Sequence, residues 1–138
     1  MKEATMLVVN PERVTFGELE LTNVHSIAVE RTPERTIAEW TDHGAHPTYA
    51  DVPEVRTTIR LARTLARDAL HTPRPGMQAL LTWHVGPNAS DGLRRRCSAT
   101  AVVERVTYQV GRTSGAVEHL VFLAVSPDGA ADPLVVTG

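Results

Sequence analysis

The sequence predicts a mainly β protein, a β-sandwich or half-barrel with one short helix and one long inter-strand loop, forming a single domain over residues 1–138. Residues 77–85 and 105–110 alternate between apolar and polar side chains, as strands with one buried face do. A glycine-containing turn at residues 111–115 separates two strand-like patterns, which is typical of a hairpin.

The opening segment repeats the strand pattern. In ERVTFGELELTNVHSIAVE, residues 12–30, apolar side chains recur at short intervals. Gly17 and Asn23 are the expected turn or bulge points, because both residue types tolerate left-handed backbone. Together with the later stretches, at least five strands are predicted.

The next segment, TPERTIAEWTDHGAHPTYADVPE at residues 32–54, contains three prolines and has no clear period. It predicts a long loop, and loops of this length in compact domains are usually functional or disordered. Trp40 and Tyr49 favour a functional loop, because large aromatic side chains seek burial and are frequent at protein interfaces.

In residues 56–70, the apolar side chains fit both the two-residue period of a strand and the four-residue spacing of a helix. We predict a strand over residues 56–62 and a short helix or turn over residues 66–70, where alanine, leucine and arginine are frequent; Pro73 and Pro75 end it.

In the strand at residues 77–85, the predicted core face carries Leu81 and Trp83. In the strand around residues 99–110, Glu104 interrupts an apolar face, so it lies near a sheet edge or marks a bulge at which the buried parity changes.

The C-terminal part carries LVFLAV, residues 120–125. Its odd-numbered and even-numbered positions are both apolar, which predicts a strand covered on both faces. SPDGAADP, residues 126–133, then turns the chain off the sheet, and we expect the last residues to lie on the outside or against a neighbour.

Composition narrows the function classes. The formal charge is −2, from 14 basic and 16 acidic side chains, so the chain as a whole does not attract nucleic acid. The one cysteine, Cys97, excludes a disulfide within the chain and fits a reducing compartment. The longest apolar run is far shorter than the ~20 residues of a membrane-spanning helix. We therefore expect a protein made inside the cell, without a signal peptide or a membrane segment.

Few residues suggest chemistry. Asp42, His43, His46 and Asp51 carry metal-ligating atoms, but a zinc site needs four positioned ligands, commonly with a second segment, and no such segment accompanies them. The sequence has no nucleophile elbow, helical metal-binding pair or phosphate-binding glycine loop. It predicts no enzyme, no metal and no cofactor.

Arg94, Arg95 and Arg96 form the only basic run. A phosphate contact, a solvated hairpin end and a contact with carboxylates of another subunit all suit these side chains, and the negative chain disfavours the phosphate contact. Strands with open edges recruit partners, so strand-rich sequence and an aromatic loop together favour a subunit of an assembly.

These features, taken in order, resemble the phage major tail protein, or tail tube, family, which includes the tail tube proteins of gene transfer agents. The resemblance rests on NPERVTFGELELTNVHSIAVE, EWTDHGAHPTYADVPE, the PRPG that precedes MQALLTWHV, and LAVSPDGAADPLVV, and it spans most of the chain.

The family implies a small β-sandwich or half-barrel with one flanking helix, here within residues 65–70, and hexameric rings whose sheets merge into the wall of a lumen. The rings stack, and a long loop of each subunit reaches the neighbouring ring. By position, residues 32–54 would be this loop, and its contact residues would be Trp40, Asp42, His43, Tyr49 and Asp51.

The resemblance also implies partners and location: a homo-hexamer stacked into tubes in the virion tail, assembled in the host cytoplasm with tape-measure, tail terminator and distal tail proteins. DNA would pass without specific contacts, because a lining of carboxylates and neutral groups does not retain a polyanion. Arg94, Arg95 and Arg96 are then expected outside the lumen or between subunits. Strand alternation suggests four acidic residues for the lumen: Glu18, Glu20, Glu30 and Glu104.

Three other functions fit the same sequence. A ring-forming tube protein of type VI secretion has the same architecture. A monomeric β-barrel would bind a small apolar ligand in a cavity lined by Leu81, Trp83 and Tyr108. An enzyme would use His43 and Asp51.

Overall fold

Strands account for all the regular secondary structure in the part of the chain that the structure describes. A computed structural model describes residues 6–9, 11–65, 73–85, 95–111 and 115–137. The strands are β1 Met6–Val9, β2 Glu12–Phe16, β3 Leu19–Leu21, β4 Val24–Glu39, β5 Tyr49–Leu65, β6 Gln78–Val85, β7 Arg95–Gly111, β8 Gly115–Ala124 and β9 Val135–Thr137.

This confirms the mainly β class. The predicted helix at residues 66–70 lies outside the described residues, and none of the described residues is helical. The predicted strand at residues 56–62 is confirmed as part of β5, which runs on to Leu65.

The strands form one open antiparallel sheet in the order β1-β4-β5-β8-β7-β6-β2-β3, and β9 pairs with β7. The predicted hairpin is confirmed, because β7 and β8 are neighbours and Gly111 pairs with Gly115. Residues 112–114 of its turn lie outside the described residues.

The first four strands behave as one bent hairpin. Only two residues separate β1 from β2 in the sequence, and only two separate β3 from β4. The β1–β4 ladder ends at Val9 and Ser26, and the β2–β3 ladder resumes at Val14 and Leu21, with the same number of residues between them on each strand. The hairpin therefore touches both ends of the sheet: β4 joins β5, and β2 joins β6.

Two predicted turn points in this hairpin are confirmed. Gly17 has a φ of 62° in the two-residue connection between β2 and β3, and Asn23 has a φ of 56° between β3 and β4. A positive φ at the first position of a two-residue hairpin loop is typical of a type II′ turn, which glycine adopts without steric cost.

The core lies on one face of the sheet, which rolls around it. Phe16 of β2 and Phe122 of β8 have ring centroids 5.1 Å apart, although β7 and β6 lie between their strands. In a flat sheet these two strands would be about 14 Å apart, at about 4.8 Å per neighbour. The roll therefore lets strands that are distant in the sheet bury their apolar faces against each other.

The alternation in residues 77–85 predicts most of this burial. Leu81 and Trp83 are completely buried, and Ala79 and Val85 pack at the margin of the core. Met77 is 44% exposed, because it precedes β6. Thr82, on the opposite face, is also buried.

Glu104 marks a bulge, one of the two alternatives that the sequence left open. The register of β7 against β8 shifts between Val103 and Arg105. Before the shift, odd-numbered residues such as Val103 face the core, and after it Val106 packs against the core. Because Glu104 is an extra residue in the strand, even-numbered residues face the core after it, where odd-numbered residues face the core before it.

The predicted loop at residues 32–54 is wrong in its secondary structure. β4 continues to Glu39 and β5 begins at Tyr49, so only residues 40–48 connect them. Apolar and polar residues alternate along a strand when one of its faces is buried. These ends of β4 and β5 are exposed on both faces, so the sequence shows no such alternation here.

The C-terminal segment leaves the sheet and then returns to it. After β8, residues 125–134 bulge outward, and β9 then pairs with residues 96–98 of β7. β9 thus follows β8 along the same edge of β7. The expected departure of residues 126–133 from the sheet is confirmed, whereas the return of the chain to the sheet in β9 was not predicted. Leu120 and Phe122 of β8 are buried, whereas Val121 and Leu123 on the other face are partly covered.

Candidate assembly surfaces

The most prominent surface is the outer half of the β4–β5 hairpin, residues 33–55, which we call the arm. β1 pairs with β4 only as far as Val29, and β8 pairs with β5 only from Thr58. Within the described residues, the strands of the arm therefore pair only with each other. Every arm side chain except that of Ala38 is exposed.

The tip of the arm is held by hydrogen bonds. The Thr48 N–H donates to the Glu39 carbonyl at 2.8 Å, and the Thr48 hydroxyl donates to the same oxygen at 3.3 Å. Glu39 pairs with Tyr49 in the ladder. This closes residues 40–48 into a defined loop and places Trp40 and Tyr49 at its two ends.

The predicted contact residues all lie in the arm. Trp40 is 60% exposed and Tyr49 is 52% exposed. Asp42 and His43 belong to the tip loop, and Asp51 pairs with Ile37 in the ladder. The structure thus gathers these five residues on one projecting element.

The four acidic residues proposed for a lumen do not form one group. Glu18 lies in the β2–β3 turn and Glu20 on β3. Glu30, on β4, lies 3.7 Å from the Arg60 guanidinium of β5. Glu104, at the β7 bulge, accepts a hydrogen bond from Arg56 of β5. Two of the four carboxylates are thus compensated by arginines.

The basic run lies at the start of β7. Arg95 and Arg96 are exposed, and Arg94 lies outside the described residues. Arg96 pairs with His84 in the β6–β7 ladder and has the same parity as Ser98, so both project from the face opposite the core. Within the described part of the chain, the Arg96 side chain forms no ion pair.

The bulging C-terminal segment is ordered by its own aspartates. The Asp128 carboxylate accepts hydrogen bonds from the N–H groups of Ala131 and Ala130, both at 2.8 Å, and contacts the Ser126 hydroxyl at 3.2 Å. These donors, the Ala131 N–H first, hold the pKa of the Asp128 carboxyl below its ordinary value. The segment therefore has a fixed shape although it is exposed.

The same segment contacts β4 immediately before the arm begins. Arg31 of β4 forms a 2.8 Å ion pair with Asp132. On the other side of the segment lies a cleft of about 550 Å³, which we call the C-terminal cleft. Its lining combines apolar side chains, hydroxyl groups and the Asp132 carboxylate, and it includes Leu80, Ser98, Thr100, Pro127, Pro133 and Val135.

A buried ion pair lies at the end of the sheet away from the arm. Arg63 of β5 and Glu118 of β8 are cross-strand partners, and the Arg63 Nε donates to the Glu118 Oε1 at 2.7 Å. Their side chains are 5% and 0% exposed. The second carboxylate oxygen, Oε2, has no hydrogen-bond partner. Sequence reasoning missed this pair, although the parity of Leu61 and Leu120 predicts that both charges face the core.

Cys97 is 1% exposed. Burial raises the pKa of its thiol above its ordinary value, and Arg95 offsets part of this effect. The neutral thiol is therefore favoured, which makes Cys97 a poor nucleophile in the folded protein.

His43 and Asp51, the residues that an enzyme was expected to use, are exposed on the arm. No three His, Cys, Asp or Glu side chains of the described ranges group as metal ligands. The described residues also contain no helix that is long and apolar enough to cross a membrane. Comparison with known proteins gives no match, either to a protein-family model or to a curated protein.

Proposed function

We propose that this chain is a structural subunit that assembles with copies of itself into stacked rings. Specifically, we propose a homo-hexameric ring of a phage or gene transfer agent tail tube, through which DNA passes. In this role the subunit meets tape-measure, tail terminator and distal tail proteins, and it resides in the virion tail after assembly in the host cytoplasm.

The arm is the observation that carries this proposal. A two-stranded hairpin that packs against nothing is at best marginally stable in water, so an arm of this length needs a surface to pack on. Its tip exposes Trp40 and Tyr49, residue types that dominate the energetic centres of interfaces. A neighbouring ring supplies such a surface in a stacked tube.

The charges on the face of the sheet that points away from the core are compatible with a conduit for DNA. A basic lining would hold DNA through the release of counterions. On this face, the positive charges of Arg60 and Arg56 are offset by the carboxylates of Glu30 and Glu104. The whole chain has a formal charge of −2.

A monomeric ligand-binding barrel is less well supported. Leu81 and Trp83, which would line its cavity, are completely buried in the packed core, and Tyr108 is 48% exposed. A type VI secretion tube protein has the same architectural support as a tail tube. Neighbouring genes would separate the two, because capsid and tape-measure genes accompany a tail tube, whereas sheath and secretion ATPase genes accompany a secretion tube.

Negative-stain electron microscopy of the purified protein at high concentration tests the proposal. We expect six-fold rings or tubes. A monomer that stays monomeric at every concentration, also with tail assembly partners present, would refute the proposed function.

A variant of the arm sharpens this test. Trp40→Ala should keep the circular dichroism spectrum of the wild type and shorten or abolish tubes, because Trp40 is exposed in the monomer. Trp40→Phe is the matched control, since it keeps an aromatic ring at the tip, and it should retain more assembly than Trp40→Ala. Tubes of normal length from Trp40→Ala would remove the tip from the stacking contact.

A further inference from the structure

Charge is distributed unevenly between the arm and the rest of the chain. Of the 16 acidic side chains, five lie in the arm, together with only one of the 14 basic ones. This leaves 11 acidic and 13 basic side chains elsewhere. An acidic arm on an otherwise basic chain favours contact between the arm of one copy and the body of another.

The strand edges of the arm are poorly suited to pairing with a further strand. Pro33 and Pro53 lack the N–H group that a ladder requires, and the register shifts twice between Pro33 and Ile37. Prolines and bulges are the usual devices that keep edge strands from pairing. The arm therefore engages a partner through its side chains, chiefly those of the tip.

The tip offers aromatic rings among carboxylates. Glu39 directly precedes Trp40, and Asp42 follows it two residues later. Tyr49 and Asp51 lie on the other strand. A surface that receives this tip needs an apolar recess beside a cationic group.

The C-terminal cleft supplies the apolar recess, and Arg96 lies next to it. The one carboxylate in the lining of the cleft, that of Asp132, is already paired with Arg31. The cleft volume of about 550 Å³ lies in the range of about 300–1,000 Å³ that holds small organic ligands, which is ample for an indole ring. Leu80 and Val135 give it apolar surface, and they are 45% and 50% exposed. Arg96 projects beside Ser98 of the cleft on the same face of β7, exposed and without an ion pair among the described residues.

We infer that the arm tip of one copy docks in the C-terminal cleft of a second copy, with Trp40 in the recess and the tip carboxylates against Arg96. This inference rests on the proposed function, because it names the surface that receives the arm. Arm and cleft are different surfaces of one chain, so the contact is heterologous. Repeated contacts of this kind close into rings or extend into filaments.

Disulfide trapping between two variants that each carry one introduced cysteine tests the contact. Thr41→Cys protein, which has an exposed cysteine in the tip loop and keeps Trp40, is mixed with Leu80→Cys protein under mild oxidation, and the product is separated on a non-reducing gel. Cys97 does not interfere, because it is buried. The control replaces Leu80→Cys by Arg60→Cys, whose position is exposed on β5 and outside the cleft. We expect several-fold more cross-linked dimer with Leu80→Cys than with Arg60→Cys.

A charge reversal provides an independent measurement by analytical ultracentrifugation. Arg96→Glu should weaken association about tenfold or more, and Asp42→Arg on the arm should recover a large part of that loss in the double variant. Recovery in the double variant identifies the two charges as partners, because a general loss of folding would not be repaired by a second substitution.

The outcomes separate the two proposals. If wild-type tubes form, but cross-linking at Leu80 equals that at Arg60 and the double variant recovers nothing, the docking inference is overturned and the tube function stands. If trapping succeeds but no rings or tubes form, the docking inference stands and the tube function fails. If neither tubes nor trapped dimers form, both are wrong.

Discussion

Arg63→Ala should destabilise the subunit strongly, because it leaves the Glu118 carboxylate buried without its cation. The Glu118 side chain is fully buried, and one of its oxygens already has no hydrogen-bond partner. Removing one partner of a buried ion pair costs about 3–5 kcal/mol, which is a large part of the ~5–15 kcal/mol that stabilises a typical domain.

Urea unfolding followed by circular dichroism measures this loss. With an m-value of about 2 kcal/mol per molar urea, a loss of about 4 kcal/mol lowers the midpoint by about 2 M. The measurement is made at low protein concentration, since any self-association would add apparent stability.

Two controls decide whether the burial of the charge is the cause. Arg60→Ala removes an arginine from the exposed face of the same strand, where the ion pair with Glu30 contributes about 1 kcal/mol or less. The double variant Arg63→Met with Glu118→Leu replaces both charges by apolar groups and should regain most of the lost stability. If Arg63→Ala costs no more than Arg60→Ala, the reasoning is wrong.

Two further predictions concern local backbone structure. Gly17→Ala should lower the free energy of unfolding by about 1–2 kcal/mol, since Gly17 has a φ of +62° and the added Cβ would lie 3.1 Å from the Ala79 Cβ. Gly44→Ala is its control, because the added Cβ has no atom within 4 Å, and equal urea midpoints for the two variants would contradict this account. The Asp128 carboxyl should titrate below its ordinary value of 3.8 in an NMR titration, because the folded loop donates hydrogen bonds to the carboxylate. Its contribution to stability is complete above that ordinary value and is lost as the pH falls through the lowered pKa; a midpoint at or above 3.8 would refute it.

Burial determined which parts of the fold the sequence could predict. Leu81 and Trp83 alternate with polar residues because one side of β6 faces the core, and the pattern reports that directly. Glu104 could be recognised as a bulge or edge residue, because a carboxylate breaks an otherwise apolar parity. Gly17 and Asn23 were predictable because few other residues accept left-handed backbone.

The arm was predicted as a place of assembly contacts but not as a pair of strands. Its residues pair through backbone hydrogen bonds, and no face of the arm is buried within the described chain, so no apolar period marks it. The position of its aromatic side chains was visible in the sequence, whereas the cleft beside Arg96 was not. Ser98 and Val135 are brought together only by the β7–β9 pairing, which the sequence does not predict.

The bent hairpin at the start of the chain bears on how this protein is made on the ribosome. Phe16 pairs with Leu81, 65 residues later, whereas its other partner, Leu19, follows almost at once. At about 5–20 residues per second, synthesis of the intervening chain takes about 3–13 s. During that interval β2 is a nascent edge without its second neighbour, and on a polysome it can pair with the same segment of another growing chain. Pairing of this kind must be avoided until β6 has been made, and the positive φ at Arg13, which breaks the regularity of β2, makes this edge less receptive.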